Sequence, residues 1–164
     1  MSQDKSPAKD MKTPHELPAS AANAADWQRA FARRSASAFA SAFAEDVVLE
    51  ASTLYRPVSG RDNVKCVMEA ASKIYEDLEF TEQAADGHQY VEWKARAFGG
   101  KGLSGITVIT RNAAGAITHL AIHHRPLGEA LKFSAEIGRR LQGVLDASYF
   151  LQAEDPSRNS ERGE

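Results

Sequence analysis

The 164-residue sequence predicts a single domain of the α+β class. Apolar residues recur at helical spacing up to residue 75, alternate with polar residues from 78 to 125 between short turns, and return to helical spacing after Pro126. Runs of helices followed by runs of strands favour an α+β fold over a parallel βαβ design. We expect the domain at 23–148, a disordered N-terminal tail at 1–22 and a polar C-terminal tail at 149–164.

The composition argues against several classes of function. The formal net charge is −2, so the chain lacks the basic field that holds nucleic acid or an anionic membrane. The single cysteine, Cys66, has no partner for an internal disulfide and no ligand spacing for zinc. The sequence predicts no metal, no cofactor, no nucleic acid and no membrane partner.

The N-terminal segment mixes charges and prolines and has no apolar core of a secretory signal. No window approaches the roughly 20 apolar residues of a membrane span. We therefore expect a cytoplasmic protein.

The first helical region begins at Asn23, a candidate N-cap. Trp27, Phe31, the run of small residues "SASAFASAFA", Phe39 and Phe43 follow at helical spacing, which predicts one bent helix or two consecutive helices. The β-branched run "VVLEAS" then predicts a strand.

The next helix is predicted at "DNVKCVMEAASKIY", 62–75, with Ser59 or Asp62 as its N-cap. One of its sides carries apolar residues: Val64, Val67, Met68, Ala71, Ile74 and Tyr75. The helix therefore has a face to bury against a sheet.

Four strands in a meander follow: "LEFTEQ", "HQYVEWKARAF", "SGITVITR" and "AITHLAIHHR". Gly87 and Gly115 stand where hairpin turns need positive φ. In the last two strands both faces are rather apolar, so both need cover. This predicts a homodimer through the convex face of the sheet.

The strings "FAEDVVLEA…PVSGRDNV", "VEWKARAFGGK", "SGITVITRNAAGAI" and "HHRPL", taken in order, resemble the SnoaL-like branch of the nuclear transport factor 2-like superfamily. The resemblance covers about residues 23–143. It implies a cone in which a curved sheet wraps around helices, with a ligand cavity in the concave face and a dimer through the outer face. The superfamily includes isomerases, dehydratases, cyclases and non-enzymatic binders, so the fold alone does not decide the function.

The resemblance is sharpest to the ketosteroid isomerase branch. There the general base falls on Ala51, and the two groups that hold the oxyanion fall on Trp27 and Thr107. An alanine cannot move a proton, and an indole and a threonine are weaker donors. Steroid-type isomerisation by that apparatus is therefore not expected.

Two adjacent histidines, His123 and His124, close the last strand. Successive side chains of a strand point to opposite faces, so at most one can enter a given pocket. The resemblance implies that His124 faces the cavity, and that His119 and His123 face the dimer side or solvent.

Two interpretations of His124 remain open: a general acid/base or a structural residue that anchors the strand end. The first needs an orienting partner, for which the sequence offers Asp46, Glu50 and Asp62.

The resemblance thus implies a mostly apolar cavity for a small hydrophobic or aromatic molecule, lined by Trp27, Phe43, Tyr55, Met68, Val91, Trp93, Thr107, Ile109, Leu120, Ile122 and His124. One hypothesis is a cofactor-independent cyclase, dehydratase or isomerase in which His124 carries the proton and Tyr55 or Thr107 donates hydrogen bonds. The alternative is a non-catalytic ligand-binding or protein-interaction module. Pocket volume separates them, since ligand sites reach roughly 300 Å³ or more.

Overall fold

The expected α+β fold is confirmed in the structure, a computed structural model that describes residues 19–86 and 88–152. The predicted tails outside 19–152 and the turn residue Gly87 lie outside the described residues. The helices are α1 (Ala19–Arg33), α2 (Ala36–Ala40), α3 (Arg61–Ser72) and α4 (Leu127–Arg140), with a 3₁₀ turn at Ala147–Tyr149. The strands are β1 (Phe43–Ala51), β2 (Val58–Ser59), β3 (Asp77–Asp86), β4 (His88–Ala97), β5 (Lys101–Arg111) and β6 (Ile117–Arg125).

One mixed sheet has the strand order β2-β1-β6-β5-β4-β3. Strands β3 to β6 form the predicted antiparallel meander, and β1 pairs parallel to β6. The turn before β6 contains Gly115 at φ +85°, the positive value that the sequence predicted. In β4 the residues at 91, 93, 95 and 97 are buried and their neighbours are not, so one face of the sheet packs on the core.

The N-terminal helical region consists of two helices, α1 and α2, and not of one bent helix. Helix α1 begins at Ala19, so Asn23 lies inside it and the predicted N-cap is wrong, as is the predicted tail boundary at 22. Ser35 is the N-cap of α2, and its Oγ accepts a hydrogen bond from the amide of Ala38. The separate second helix places Phe39 in the core, where it is fully buried.

Helix α3 begins after Gly60, so neither Ser59 nor Asp62 is its N-cap. Gly60 has φ +89°, a value that a residue with a side chain rarely adopts. The helix ends at Ser72, and the chain then turns with Tyr75 buried against the concave face.

The predicted polar tail at 149–164 begins too early. Residues 147–151, which we call the C-terminal strap, pack onto α4, and Phe150 is 1% exposed. Gly138 of α4 lies directly under the Phe150 ring, and the amide of Leu151 donates to Oγ of Ser134 at 2.9 Å. The strap is therefore part of the domain. Within the described residues, no helix has the length and apolar character needed to cross a membrane.

Candidate functional site

A small cavity lies between the concave face of the sheet and helices α1, α3 and α4. The space open to the centre of a water-sized sphere is about 20 Å³, which is enough for about one water molecule. Its walls are mostly aromatic and aliphatic: Trp27, Phe31, Ala51, Thr53, Leu54, Val67, Met68, Ala71, Tyr75, Phe80, Trp93, Thr107, Ile122, His124, Phe133 and Ile137. The interior is therefore packed around this small space.

Six of the residues that the sequence placed at the cavity line it: Trp27, Met68, Trp93, Thr107, Ile122 and His124. Four others are buried in the core but do not line the cavity: Phe43, Val91, Ile109 and Leu120. Ile109 and Leu120 pair with each other one row of inward residues away from Thr107 and Ile122.

The prediction that Tyr55 lines the cavity is wrong. Its side chain is 68% exposed. The turn after β1 carries it away from the cavity, because its backbone amide donates to the carbonyl of Tyr149 in the C-terminal strap at 2.9 Å. Tyr55 therefore cannot serve as the hydrogen-bond donor in this conformation.

His124 lies near the end of β6 on the concave side, while His123 is exposed on the other face. Nε2 of His124 lies 3.3 Å from the hydroxyl of Tyr75, and Nδ1 of His124 lies 3.4 Å from Oγ of Ser52. Ser52 also accepts a hydrogen bond from the backbone amide of His124 at 2.8 Å. Both ring nitrogens thus face a hydroxyl group.

Aromatic rings surround this imidazole. Trp93 meets it edge-on at 5.2 Å between ring centroids, and Phe133 packs against it at the same distance. Burial lowers the pKa of His124 to about 4, and the neighbouring charge of His123 adds to the effect. Burial also raises the pKa of Tyr75 above its usual value. At neutral pH the hydrogen bond therefore joins two uncharged groups.

A glycine in the middle of β5 positions the indole of Trp93. Gly105 pairs with Trp93 on one side and with His124 on the other. A Cβ at this position would lie 2.5 Å from the Trp93 ring and 2.1 Å from the carbonyl of His123. The indole therefore lies over Gly105, and its Nε1 donates to Oγ1 of Thr107 at 3.2 Å.

The second indole at the cavity has an unused donor. Trp27 is 1% exposed and packs edge-on against Phe31 and Phe39. Within the described part of the chain, its buried Nε1 has no hydrogen-bond partner. A buried donor without a partner is costly, and such groups are rare in folded proteins.

None of the predicted carboxylate partners reaches His124. Glu50 lies 3.1 Å from Nε2 of His119 on the opposite face, Asp62 pairs with Lys65, and Asp46 is exposed. The sequence did not single out Ser52, Tyr75 or Phe133. Their aromatic or hydroxyl character was visible, but no spacing rule brings the segments after α3 and β1 to the middle of α4. Across the residues with described side chains, no three potential ligands cluster to hold a metal ion.

A curved mixed sheet over helices, with a small apolar cavity at its concave face, defines a cone-shaped α+β class of protein. The sequence matches the SnoaL-like domain over residues 24–120. The chain belongs to the SnoaL-like domain family, within the NTF2-like superfamily, as the sequence predicted.

Solved structures share this fold. A steroid delta-isomerase from Pseudomonas aeruginosa is 27% identical, with a TM-score of 0.69 over 80% of this chain and 97% of that chain. An uncharacterised protein with a cystatin-like fold from Silicibacter pomeroyi is 22% identical, with a TM-score of 0.70 over 74% and 86%. An NTF2-like protein from Mesorhizobium loti is 16% identical, with a TM-score of 0.56 over 68% and 98%. No curated protein matches the sequence significantly.

Proposed function

We propose that this protein binds a small, mostly apolar molecule that carries a carbonyl oxygen, and isomerises it by proton transfer without a cofactor. The observation that carries the proposal is the hydrogen bond between His124 and Tyr75 inside an otherwise apolar cavity. A few polar groups converging in an apolar pocket are typical of small-molecule sites. Titratable groups with displaced pKa values are typical of catalytic ones.

Each polar group has a role in the proposal. His124 is uncharged at neutral pH, which is the form that accepts a proton. The same lowered pKa makes it a weak base, so it suits a C–H bond that an adjacent carbonyl has already acidified. The hydroxyl of Tyr75 and the unpaired Nε1 of Trp27 are the donors available to the ligand oxygen.

The likeness to a steroid delta-isomerase supports this class of reaction for the chain. However, the resemblance to the ketosteroid isomerase branch places the general base of that branch at Ala51. This residue lines the cavity and has no ionisable group. The proposal therefore assigns the proton transfer to His124, on a different strand.

A solvent-exchange experiment tests the proposal. In D₂O, abstraction of a proton from the carbon next to a carbonyl, followed by return of deuterium from solvent, labels that carbon without any need to know the final product. We expect label in members of a panel of apolar cyclic ketones, lost by at least about 100-fold in His124→Gln. The matched control is His123→Gln, which changes the adjacent exposed imidazole and should keep the wild-type rate. Equal rates in the two variants would contradict the role of His124.

The small cavity favours a second candidate, a non-catalytic binding or protein-interaction module. A volume of about 20 Å³ lies far below the roughly 300 Å³ of a typical ligand site. Native mass spectrometry of the freshly purified protein separates the two. A retained small molecule with no deuterium exchange on any ketone would favour this module over an isomerase.

For its assembly, we propose a homodimer through the convex face of the sheet. Tyr90 and Ile106 are 42% and 41% exposed there, and Val108 and Ala121 pair beside them. Contiguous apolar surface of this kind is typical of protein interfaces.

A further inference from the structure

Helix α4 forms one wall of the cavity, and this element lies beyond the matched domain residues 24–120. Phe133 and Ile137 of α4 are both 1% exposed and line the cavity. The Phe133 ring lies 4.9 Å from the ring of Tyr75 and 5.2 Å from that of His124. The side chain thus covers both members of the polar pair.

The C-terminal strap holds α4 in this position from the outside. Phe150 packs over Gly138, and Leu151 is hydrogen-bonded to Ser134. Both contacts fall on the half of α4 that follows Phe133. The strap therefore fixes the part of the helix that closes the cavity.

The strap is also tied to the turn after β1. The guanidinium of Arg56 lies 3.9 Å from the centre of the Tyr149 ring, and it donates to Oγ of Ser148 at 2.8 Å. The same turn carries Ser52, the partner of His124, and Leu54, a cavity residue. These exposed polar and cation–π contacts are individually weak, so the buried ring of Phe150 is the main contact that the strap must break to release α4.

We propose that α4 and the C-terminal strap form a lid, and that Phe133 occupies the place of the ligand's apolar body in the closed state. Entry of a ligand then requires α4 to move and Phe133 to leave the His124–Tyr75 pair. A ligand must then be bulky enough to fill the space of the Phe133 ring, so the size of this side chain limits which ligands bind. The lid rests on the proposed function, because it matters only if the cavity takes a ligand.

The two tryptophans of the chain make the lid measurable without any ligand. Trp27 and Trp93 both line the cavity and are 1% and 3% exposed. Quenching of their fluorescence by acrylamide, a small polar molecule, therefore reports access to the cavity. Opening of α4 admits acrylamide, whereas a permanently packed interior excludes it.

Two glycines in α4 provide a matched pair of variants. A Cβ at Gly138 would lie 2.8 Å from Cβ of Phe150, whereas nothing lies within 4 Å of one at Gly128. Alanine favours a helix more than glycine does, so neither substitution weakens α4 through its own propensity. We expect Gly138→Ala to raise the quenching constant about threefold by displacing the strap, and Gly128→Ala to leave it unchanged. Equal quenching in the two variants would overturn the lid.

Hydrogen exchange on the wild-type protein tests the same claim without a substitution. We expect the amides of α4 and the strap to exchange together, about tenfold or more faster than those of β5, because a lid opens while the sheet stays intact. If the amides of α4 exchange no faster than those of β5, the proposal is also overturned. Neither measurement uses a ligand or activity. If the lid proposal fails, the deuterium test of His124 therefore still decides the proposed function separately.

Discussion

The hydroxyl of Tyr75 lies 3.3 Å from Nε2 of His124, so the segment after α3 and the strand β6 meet in a hydrogen bond inside an apolar cavity. Tyr75 is 5% exposed, and its ring also packs against Trp93 and Phe133. The bond therefore joins two neutral groups in a setting where loss of either partner leaves the other without compensation.

Replacement of Tyr75 by phenylalanine should reveal the cost of that loss. The ring and its packing remain, but Nε2 of His124 loses its partner. We expect Tyr75→Phe to lower the free energy of unfolding by about 1–2 kcal/mol, measured by urea denaturation. Tyr90→Phe is the control, because Tyr90 is 42% exposed on the convex face, and its effect should stay within about 0.5 kcal/mol. Equal losses of unfolding free energy in the two variants would mean that the hydrogen bond between Tyr75 and His124 contributes nothing to stability.

The lowered pKa of His124 predicts a pH-dependent stability. The pKa is about 4 in the folded protein, against 6.5 for an exposed histidine, so the unfolded chain binds the proton more readily. Stability should therefore fall as the pH drops from about 6.5 to 4, by at most about 3 kcal/mol from this residue. Urea denaturation at several pH values should show a shallower decline in His124→Gln. An unchanged decline would place the pH dependence in other groups.

The contact of Gly105 with Trp93 predicts a position-specific effect in β5. In Gly105→Ala the new methyl group overlaps the indole and the carbonyl of His123, so the strand or the ring must move. We expect a loss of about 2–3 kcal/mol and a shift in tryptophan emission. The control is Gly102→Ala in the same strand, where nothing lies within 4 Å of the added carbon. A Gly105→Ala protein as stable as this control would show that Trp93 does not depend on the glycine.

The proposed dimer predicts a sensitive position on the convex face. Ile106 is 41% exposed at the middle of β5, and a lysine there would bring two charges together across a two-fold interface. We expect Ile106→Lys to weaken the dimer by about 100-fold without changing the fold, measured by sedimentation equilibrium. Leu127→Lys, on the exposed surface of α4, is the control. A wild-type protein that sediments as a monomer at micromolar concentration would contradict the dimer.

Strand periodicity explains why much of the concave face could be predicted. In β4 the two-residue alternation assigns Trp93 to the inward face, whereas β5 and β6 are apolar on both faces, so the inward positions of Thr107 and His124 were implied by the family resemblance. Alternation does not say how far along the strand a cavity begins. Ile109 and Leu120 are buried on the same face but do not line the cavity.

The partners of His124 could not be predicted in the same way. Tyr75 follows the end of α3, Ser52 follows β1, and Phe133 belongs to α4, so their meeting depends on tertiary packing. Local patterns fix the periodicity within one element but not the distances between elements. The predicted start of the C-terminal tail was wrong for a related reason. Phe150 is buried because the strap folds back onto α4, where Gly138 leaves room for its ring, and no local pattern reveals that contact.

Titration of His124 by nuclear magnetic resonance tests the central claim most directly, since that claim is an uncharged imidazole that is hydrogen-bonded to Tyr75 at an apolar cavity. The ring signals, assigned by comparison with His124→Gln, follow protonation through the whole pH range in which the protein is folded. We predict a neutral ring down to about pH 5, with a midpoint near pH 4. A midpoint near the unperturbed value of about 6.5 would mean that water reaches the imidazole freely, and would contradict the desolvated environment that the structure gives to His124.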